Sequence, residues 1–265
     1  MLTNENYYDD KSYLSSSALS NYVKFDNYGN PIYSFQDFAN PPSLEDNDNV
    51  MIGKILDELL TEGVIFDQKY EVVARRMGKS DRIEITNSMY ESVMKAMDAI
   101  LKAPYAKDLT FGQYIAQKHV STQAILVDEE LKLKGKFDFL DNNDSIIDLK
   151  CTGSVAMCKK EMLWNGHLNL NHKWVRQMSI YRHLLLTSSQ GNASAEVTLA
   201  IVGHDGSNWF LRLDPKSLDI AFQNVLSDIA HLRSAIDTGT YIETYTHYVK
   251  KDTDTLPVDT ETYTF

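Results

Sequence analysis

Two short stretches hold charged residues at a spacing that could do chemistry. In Ser145-Ile-Ile-Asp-Leu-Lys150, Asp148 and Lys150 stand two apart; in Lys134-Gly-Lys-Phe-Asp-Phe-Leu140, Asp138 has the same relation to Lys136. Residues two apart share one face of a strand, so Asp148 and Lys150 act as a pair while Ile147 and Leu149 point the other way. By the same alternation Asp138 stands with Lys136 and Lys134, opposite Phe137 and Phe139. A three-residue hairpin loop at 142–144 puts Asp138 directly across from Asp148. Like charges so placed destabilise a sheet, and a divalent cation between them removes the penalty. Oxygen donors suit Mg²⁺ or Mn²⁺, whereas zinc favours nitrogen and sulfur. The adjoining lysine can stabilise developing negative charge or position and activate a water. Together these groups are equipment for phosphodiester hydrolysis.

The elements that must position them follow from periodicity and turn chemistry. Strands are expected in STQAILVDEE, KLKGKFDFL and SIIDLKC, a meander of three. Ahead of them, Ser15–Val23 starts with serines suited to an N-cap and reads as a short helix. Residues 25–49, dense in Asn, Asp and Pro, read as a loop before a second helix at about 50–62. Helices are expected to dominate 86–118. After the meander, Trp174, Met178, Tyr181 and Leu185 fall at i, i+4, i+7 and i+11, one face of a helix. A hairpin, AEVTLAIVGH with NWFLRLD, precedes a long amphipathic helix at about 215–237. Residues 1–237 therefore form one domain with its core at about 50–185, and the Thr-rich 238–265 is a tail expected to be partly disordered.

Composition sets limits. The chain has 265 residues, 43% of them hydrophobic and 24% charged, with apolar runs too short to span a bilayer. MLTNENYYDDKSYL has neither a basic nor an apolar leader region, so a cytoplasmic location, in a bacterial or virus-infected bacterial cell, is the expectation. The net charge of -11 argues against indiscriminate nucleic-acid binding, though it leaves room for a local basic cleft. Cys151 and Cys158, with His167 and His172, match common zinc spacings poorly.

The ordered set of motifs resembles the PD-(D/E)XK nuclease superfamily, particularly its RecB-like and RecE-like (lambda-type) exonuclease branch. Gly135-Lys-Phe-Asp138 followed by Asp148-Leu-Lys150 looks like the family's G-x-x-D…D-x-K core, with Thr152 near the threonine that commonly follows the lysine. Gln177-Met-Ser-Ile-Tyr181 is similar to the Q-x-x-x-Y helix. Gly53-Lys-Ile-Leu-Asp57 stands in the place of the upstream G-x-x-x-H helix, with Asp57 replacing the histidine, and Leu14–Tyr22 is similar to an opening L-S-x-S helix. Gln123 falls on the first strand, at a place where relatives often carry an acid.

The resemblance implies an α/β (α+β) fold: a central mixed sheet flanked by helices, like the restriction-endonuclease core. It implies one or two Mg²⁺ ions, with Mn²⁺ as a substitute, held by Asp57, Asp138, Asp148 and the Leu149 carbonyl. Asp138, Asp148, Lys150, Gln177 and Tyr181 form the implied catalytic set. A helical wheel allows Asp57 to face the sheet and turns Glu58 to solvent. Lys173, Arg176 and Thr152 are the implied DNA contacts. The implied activity is exonucleolytic, 5′-to-3′ resection of duplex DNA ends for recombination or repair, with a single-strand annealing or recombination protein as partner and no membrane association. A structure- or site-specific endonuclease and a non-catalytic nucleic-acid-binding module are the alternatives. No motif specifies an oligomeric state.

Overall fold

The computed structural model describes residues 2–238 apart from 4–5, 27–28, 42–46, 79, 119, 144 and 189–195. The Thr-rich tail lies outside the described residues. The main sheet has six strands: β1 (Leu14–Ser15), β2 (Ser121–Asp128), β3 (Leu133–Leu140), β4 (Ile146–Thr152), β5 (Val197–Gly203) and β6 (Asn208–Leu213). The sheet is mixed. β2, β3 and β4 form the expected antiparallel meander, β4 runs parallel to β5, β6 returns antiparallel to β5, and β1 lies parallel to β3.

Helices cover both faces. On one side lie α1 (Ser16–Tyr22), α5 (Val155–Met162), α6 (Lys173–Thr187) and α7 (Pro215–Thr238), whose Leu19, Met162, Leu184 and Val225 share a core with Ile146, Leu199 and Ile201 of the sheet. On the other lie α2 (Asp48–Thr61), α3 (Asn87–Lys102) and α4 (Phe111–Gln117), packing Leu56, Ile100 and Phe111 against Ile147, Leu149 and Val202. A strand clothed on both faces is mostly apolar, and every residue of β5 is buried, Thr198 its one polar side chain. Helix starts are set locally: Ser15 accepts from the Ala18 amide, Asn47 from Asn49 and Val50, and His172 from Trp174. Met178, Tyr181 and Leu185 form the buried stripe expected on α6, with Trp174 packed at its edge. Among the described residues no helix is long and apolar enough to cross a membrane.

Residues 25–49, read as a loop, contain more structure than that. Val23–Phe25 pairs with Pro31–Tyr33, and a short helix, Phe35–Ala39, is capped by Ser34. Phe35 and Phe38 bury their rings there, an apolar i, i+3 pair that the surrounding Asn and Asp residues obscure.

One irregularity of the sheet matters more than its regular parts. β2 covers one edge of β3 along its whole length. The other edge is shared: β1 pairs only at Leu133 and Lys134, and β4 only at Phe139 and Leu140. Between them β3 and β4 part company like the tines of a fork. Phe137 and Phe139, expected on one face, go to opposite layers: Phe137 packs on Tyr181 with ring centroids 4.6 Å apart, and Phe139 on Phe111 at 5.8 Å. The alternation of the strand therefore switches across Asp138.

Candidate active site

The acids and the lysine sit in this fork. Asp141 donates its amide to the Ser145 carbonyl at 3.1 Å and Leu140 pairs with Ile146, so counting along the hairpin brings Asp138 opposite Asp148, as the sequence implied. The ladder stops one pair short of that juxtaposition, at Phe139 and Ile147. Instead of a main-chain acceptor, the Leu149 amide finds Oδ2 of Asp138 at 2.8 Å. Asp148 is 1% exposed; Lys150 Nζ lies 2.6 Å from its Oδ2, and no directed hydrogen bond reaches either carboxylate oxygen among the described residues.

Electrostatics records the crowding. Burial, then Asp148, push the Asp138 carboxyl well above the usual aspartate range, with Lys150 pulling it back. Burial also raises Asp148, again opposed by Lys150. For Lys150 burial works against the ammonium, but Asp148 and Asp138 outweigh it and hold the amine protonated. Desolvation is the common cause, because a buried carboxylate without compensation favours its neutral form.

Asp57 joins the group from α2. At Gly53 this helix lies against β4, where a Cβ would just touch that of Cys151 at 3.4 Å. Burial raises the Asp57 carboxyl too, while Thr61 and Lys150 lower it and Asp148 adds repulsion. Its neighbour Glu58 does not point to solvent as the helical wheel implied. Glu58 is 5% exposed, accepts from the Tyr70 hydroxyl and pairs with Lys69 at 2.6 Å. Those partners come from the segment beyond the helix, which the wheel leaves out.

Gln177 and Tyr181 meet on α6 as expected, Gln177 Nε2 donating to the tyrosine oxygen at 2.9 Å. Tyr181 is both a core ring and a site group: its ring packs in the sheet, and its hydroxyl is raised by burial first and then by Asp148, Tyr7 and Asp138. Gly135 permits the close approach of α6, since a Cβ there would stand 2.7 Å from Leu184 and 3.0 Å from the Tyr181 ring.

The residues expected to meet DNA divide. Lys173 is exposed at the start of α6. Arg176, one turn on, is 4% exposed and pairs through one nitrogen with Asp228 of α7 at 2.5 Å, so its guanidinium lies inside the protein and not on the surface where a phosphate contact was expected. Arg182 is likewise tied down, by Asp219. Thr152 ends β4 and its hydroxyl accepts from the Ser154 amide at 3.4 Å. Sequence reasoning missed the N-terminal turn: buried Lys134 donates to the carbonyls of Tyr7 and Asp10, seating Tyr7 in the interior. Tyr8 is left exposed beside Lys136 Nζ, 5.6 Å from its ring, within electrostatic reach of Asp57 and Asp138. Only the long reach of a lysine on the acid-bearing strand hinted at such a contact.

Among the described residues no group of three or more His, Cys, Asp or Glu side chains is gathered closely enough to hold a metal ion as the side chains lie. The donor chemistry nevertheless fits Mg²⁺. The candidates supply oxygen alone, Oδ1 of Asp148 has no hydrogen-bond donor among the described residues while Oδ2 faces only Lys150, and Mg²⁺ characteristically takes one or two carboxylates, keeping waters and substrate phosphates for the rest of its shell.

No protein-family model matches the chain, and no curated protein matches it. Among solved structures, the crystal structure of a protein from Eubacterium rectale named "Putative exonuclease" superposes with a TM-score of 0.64, covering 89% of this chain and 87% of that one. The two chains share a fold. Their sequences are 18% identical, so the likeness speaks for the architecture and leaves the site to be argued from its own residues.

Proposed function

We propose that the protein is a Mg²⁺-dependent deoxyribonuclease, and specifically an exonuclease that resects duplex DNA ends in recombination or repair. The observation that carries this reading is the fork: a buried and a half-buried aspartate opposed in register, Asp148 ion-paired to Lys150 and Asp138 holding the Leu149 amide. A sequence selected only to fold would not place like charges there without a purpose. The shared fold with a protein named as an exonuclease supports the choice among nucleases.

In this reading Asp148 and Asp138, with Asp57 from the facing helix, hold the cation, and the Leu149 carbonyl between the two charged positions is available to it. When bound, Mg²⁺ lowers the pKa of a water and offsets charge on the phosphate oxygens. Lys150, kept as an ammonium by its acidic neighbours, stabilises the negative charge that builds on the phosphoryl oxygens and orients the attacking water. The Tyr181 hydroxyl, fixed by Gln177, adds a donor on the α6 side. Exposed Lys173 steers phosphate toward the cleft in an otherwise acidic molecule.

The test is a Mg²⁺-dependent assay on linear duplexes labelled at either the 5′ or the 3′ end, with covalently closed circular DNA alongside. Loss of label from linear DNA with intact circles is expected, and Asp148→Ala and Lys150→Ala, each assayed below its own melting temperature, should be inactive. Cleaved circles indicate an endonuclease; full activity in both variants overturns the proposal.

A further inference from the structure

Gln123 combines two unfavourable features at one position. The pairs Thr122 with Phe139 and Ala124 with Phe137 bracket it, so it stands opposite Asp138 at the point where the face of β3 switches. Its φ of 57° lies in the left-handed region. The other non-glycine residues with positive φ among those described, Asp108, Lys132 and Asn165, are in turns, whereas Gln123 is inside a strand. A β-carbon is strained in that conformation, and such strain persists where the surroundings enforce it for a purpose.

The side chain completes the observation. Gln123 is 9% exposed, and its Nε2 donates to Thr61 Oγ1 at 2.6 Å. The single hydroxyl hydrogen of Thr61 is directed at Asp57, with the main-chain oxygen at 2.8 Å and Oδ1 at 3.1 Å. Thr61 can therefore only accept from Gln123, which fixes the amide with its nitrogen toward α2 and its oxygen away. That oxygen, Oε1, is buried and has no hydrogen-bond partner among the described residues. A glutamine serving the fold alone would have its carbonyl satisfied, because buried polar groups nearly always are.

We propose that Gln123 is a positioning residue of the cation site. Through Thr61 it holds Oδ1 of Asp57 and so presents Oδ2 to the cation, and its Oε1 accepts a hydrogen from a water in the cation's shell. The inference rests on the metal-dependent reading given above and extends it from the acids to the side chains that aim them. Partners of this kind typically change metal affinity by about 10–100-fold when removed.

Titration calorimetry of Mg²⁺ into the full chain without DNA tests this apart from turnover. Gln123→Gly relieves the backbone strain while deleting the amide; Thr61→Val keeps the shape of the helix residue and breaks the relay. Each should weaken Mg²⁺ binding by about 10-fold or more, and the double variant should lose little beyond either single one, because both interrupt the same chain of hydrogen bonds. A purely structural role predicts the opposite: lowered melting temperatures with Mg²⁺ affinity unchanged, and that result overturns the inference. If the wild type binds Mg²⁺ no better than Asp148→Ala, the metal-dependent reading itself fails and takes this inference with it.

Discussion

The main-chain amide of Leu149 is held by the side chain of Asp138 at 2.8 Å, in the position where a regular hairpin would offer a carbonyl. The carboxylate thus replaces a rung of the ladder, and the Leu149 amide keeps an acceptor where the strands part. Asp138→Asn retains an acceptor while removing one of two opposed charges. We expect its metal-free melting temperature to equal or exceed that of the wild type while cleavage falls by about 10²–10³-fold, the scale of losing one electrostatic group at a reacting centre. Asp138→Ala should in addition strand the Leu149 amide and lose about 1–3 kcal/mol. Thermal melts beside cleavage rates distinguish the two effects.

Lys150 and Asp148 form a pair that is stable only together. With Asp148 1% exposed, removing the ammonium leaves a buried carboxylate without compensation. Breaking a buried pair from one side costs about 3–5 kcal/mol, whereas replacing both partners is often neutral. Denaturant unfolding should therefore show Lys150→Ala strongly destabilised, and Lys150→Met combined with Asp148→Asn close to wild type. Both should be inactive; a fully active double variant would remove the pair from the chemistry.

Arg176 and Lys173, a single turn apart, should separate stability from nucleic-acid binding. Arg176→Ala uncovers Asp228 in the interior and should cost about 3–5 kcal/mol, again as the breakage of a buried pair. Lys173→Ala should leave the melting temperature unchanged and reduce the slope of log affinity for DNA against log salt by about 1. An unchanged slope would place the phosphate path elsewhere.

His172 gives the fold a pH dependence of its own. Its ring nitrogen accepts from the Trp174 amide at the start of α6, and burial, aided by Lys173, pushes its pKa down from 6.5 to about 4. A depressed folded value means that the unfolded chain takes up the proton first. The stability due to the neutral ring is complete above pH 6.5 and is lost as pH falls toward about 4. His172→Asn keeps a capping acceptor without titrating. The difference in stability between wild type and variant should vary across that window and be flat above it; a constant difference throughout would contradict the assignment.

What the sequence disclosed was local. Two-residue alternation was enough to place Asp148 beside Lys150, and the turn residues Asn142 and Asn143 set the register that opposes Asp138. The i, i+4 spacing of Gln177 and Tyr181 was enough to join their side chains. The misreadings arose where the deciding partner lies far along the chain. Arg176 looks like a surface cation until Asp228, 52 residues on, closes over it. Glu58 belongs to solvent on a wheel and to Tyr70 in the fold. Strict alternation hides the switch between Phe137 and Phe139, which lies opposite the left-handed backbone of Gln123, a conformation that no side-chain pattern encodes.

The fork also divides the sheet into regions of unequal endurance. β4 is bound to β5 along seven residue pairs, from Ile146 with Val197 to Thr152 with Gly203, all within the sandwich of helices. Gly135–Phe137, by contrast, pairs with a strand on one side only, and Asp138 with neither. Amide protons of the β4–β5 ladder should exchange with deuterium only when the whole domain opens, whereas those turned toward the gap should exchange through small local excursions. On this expectation Asp138 stands at the edge that opens first, while the strand carrying Asp148 stays clamped until the domain itself unfolds.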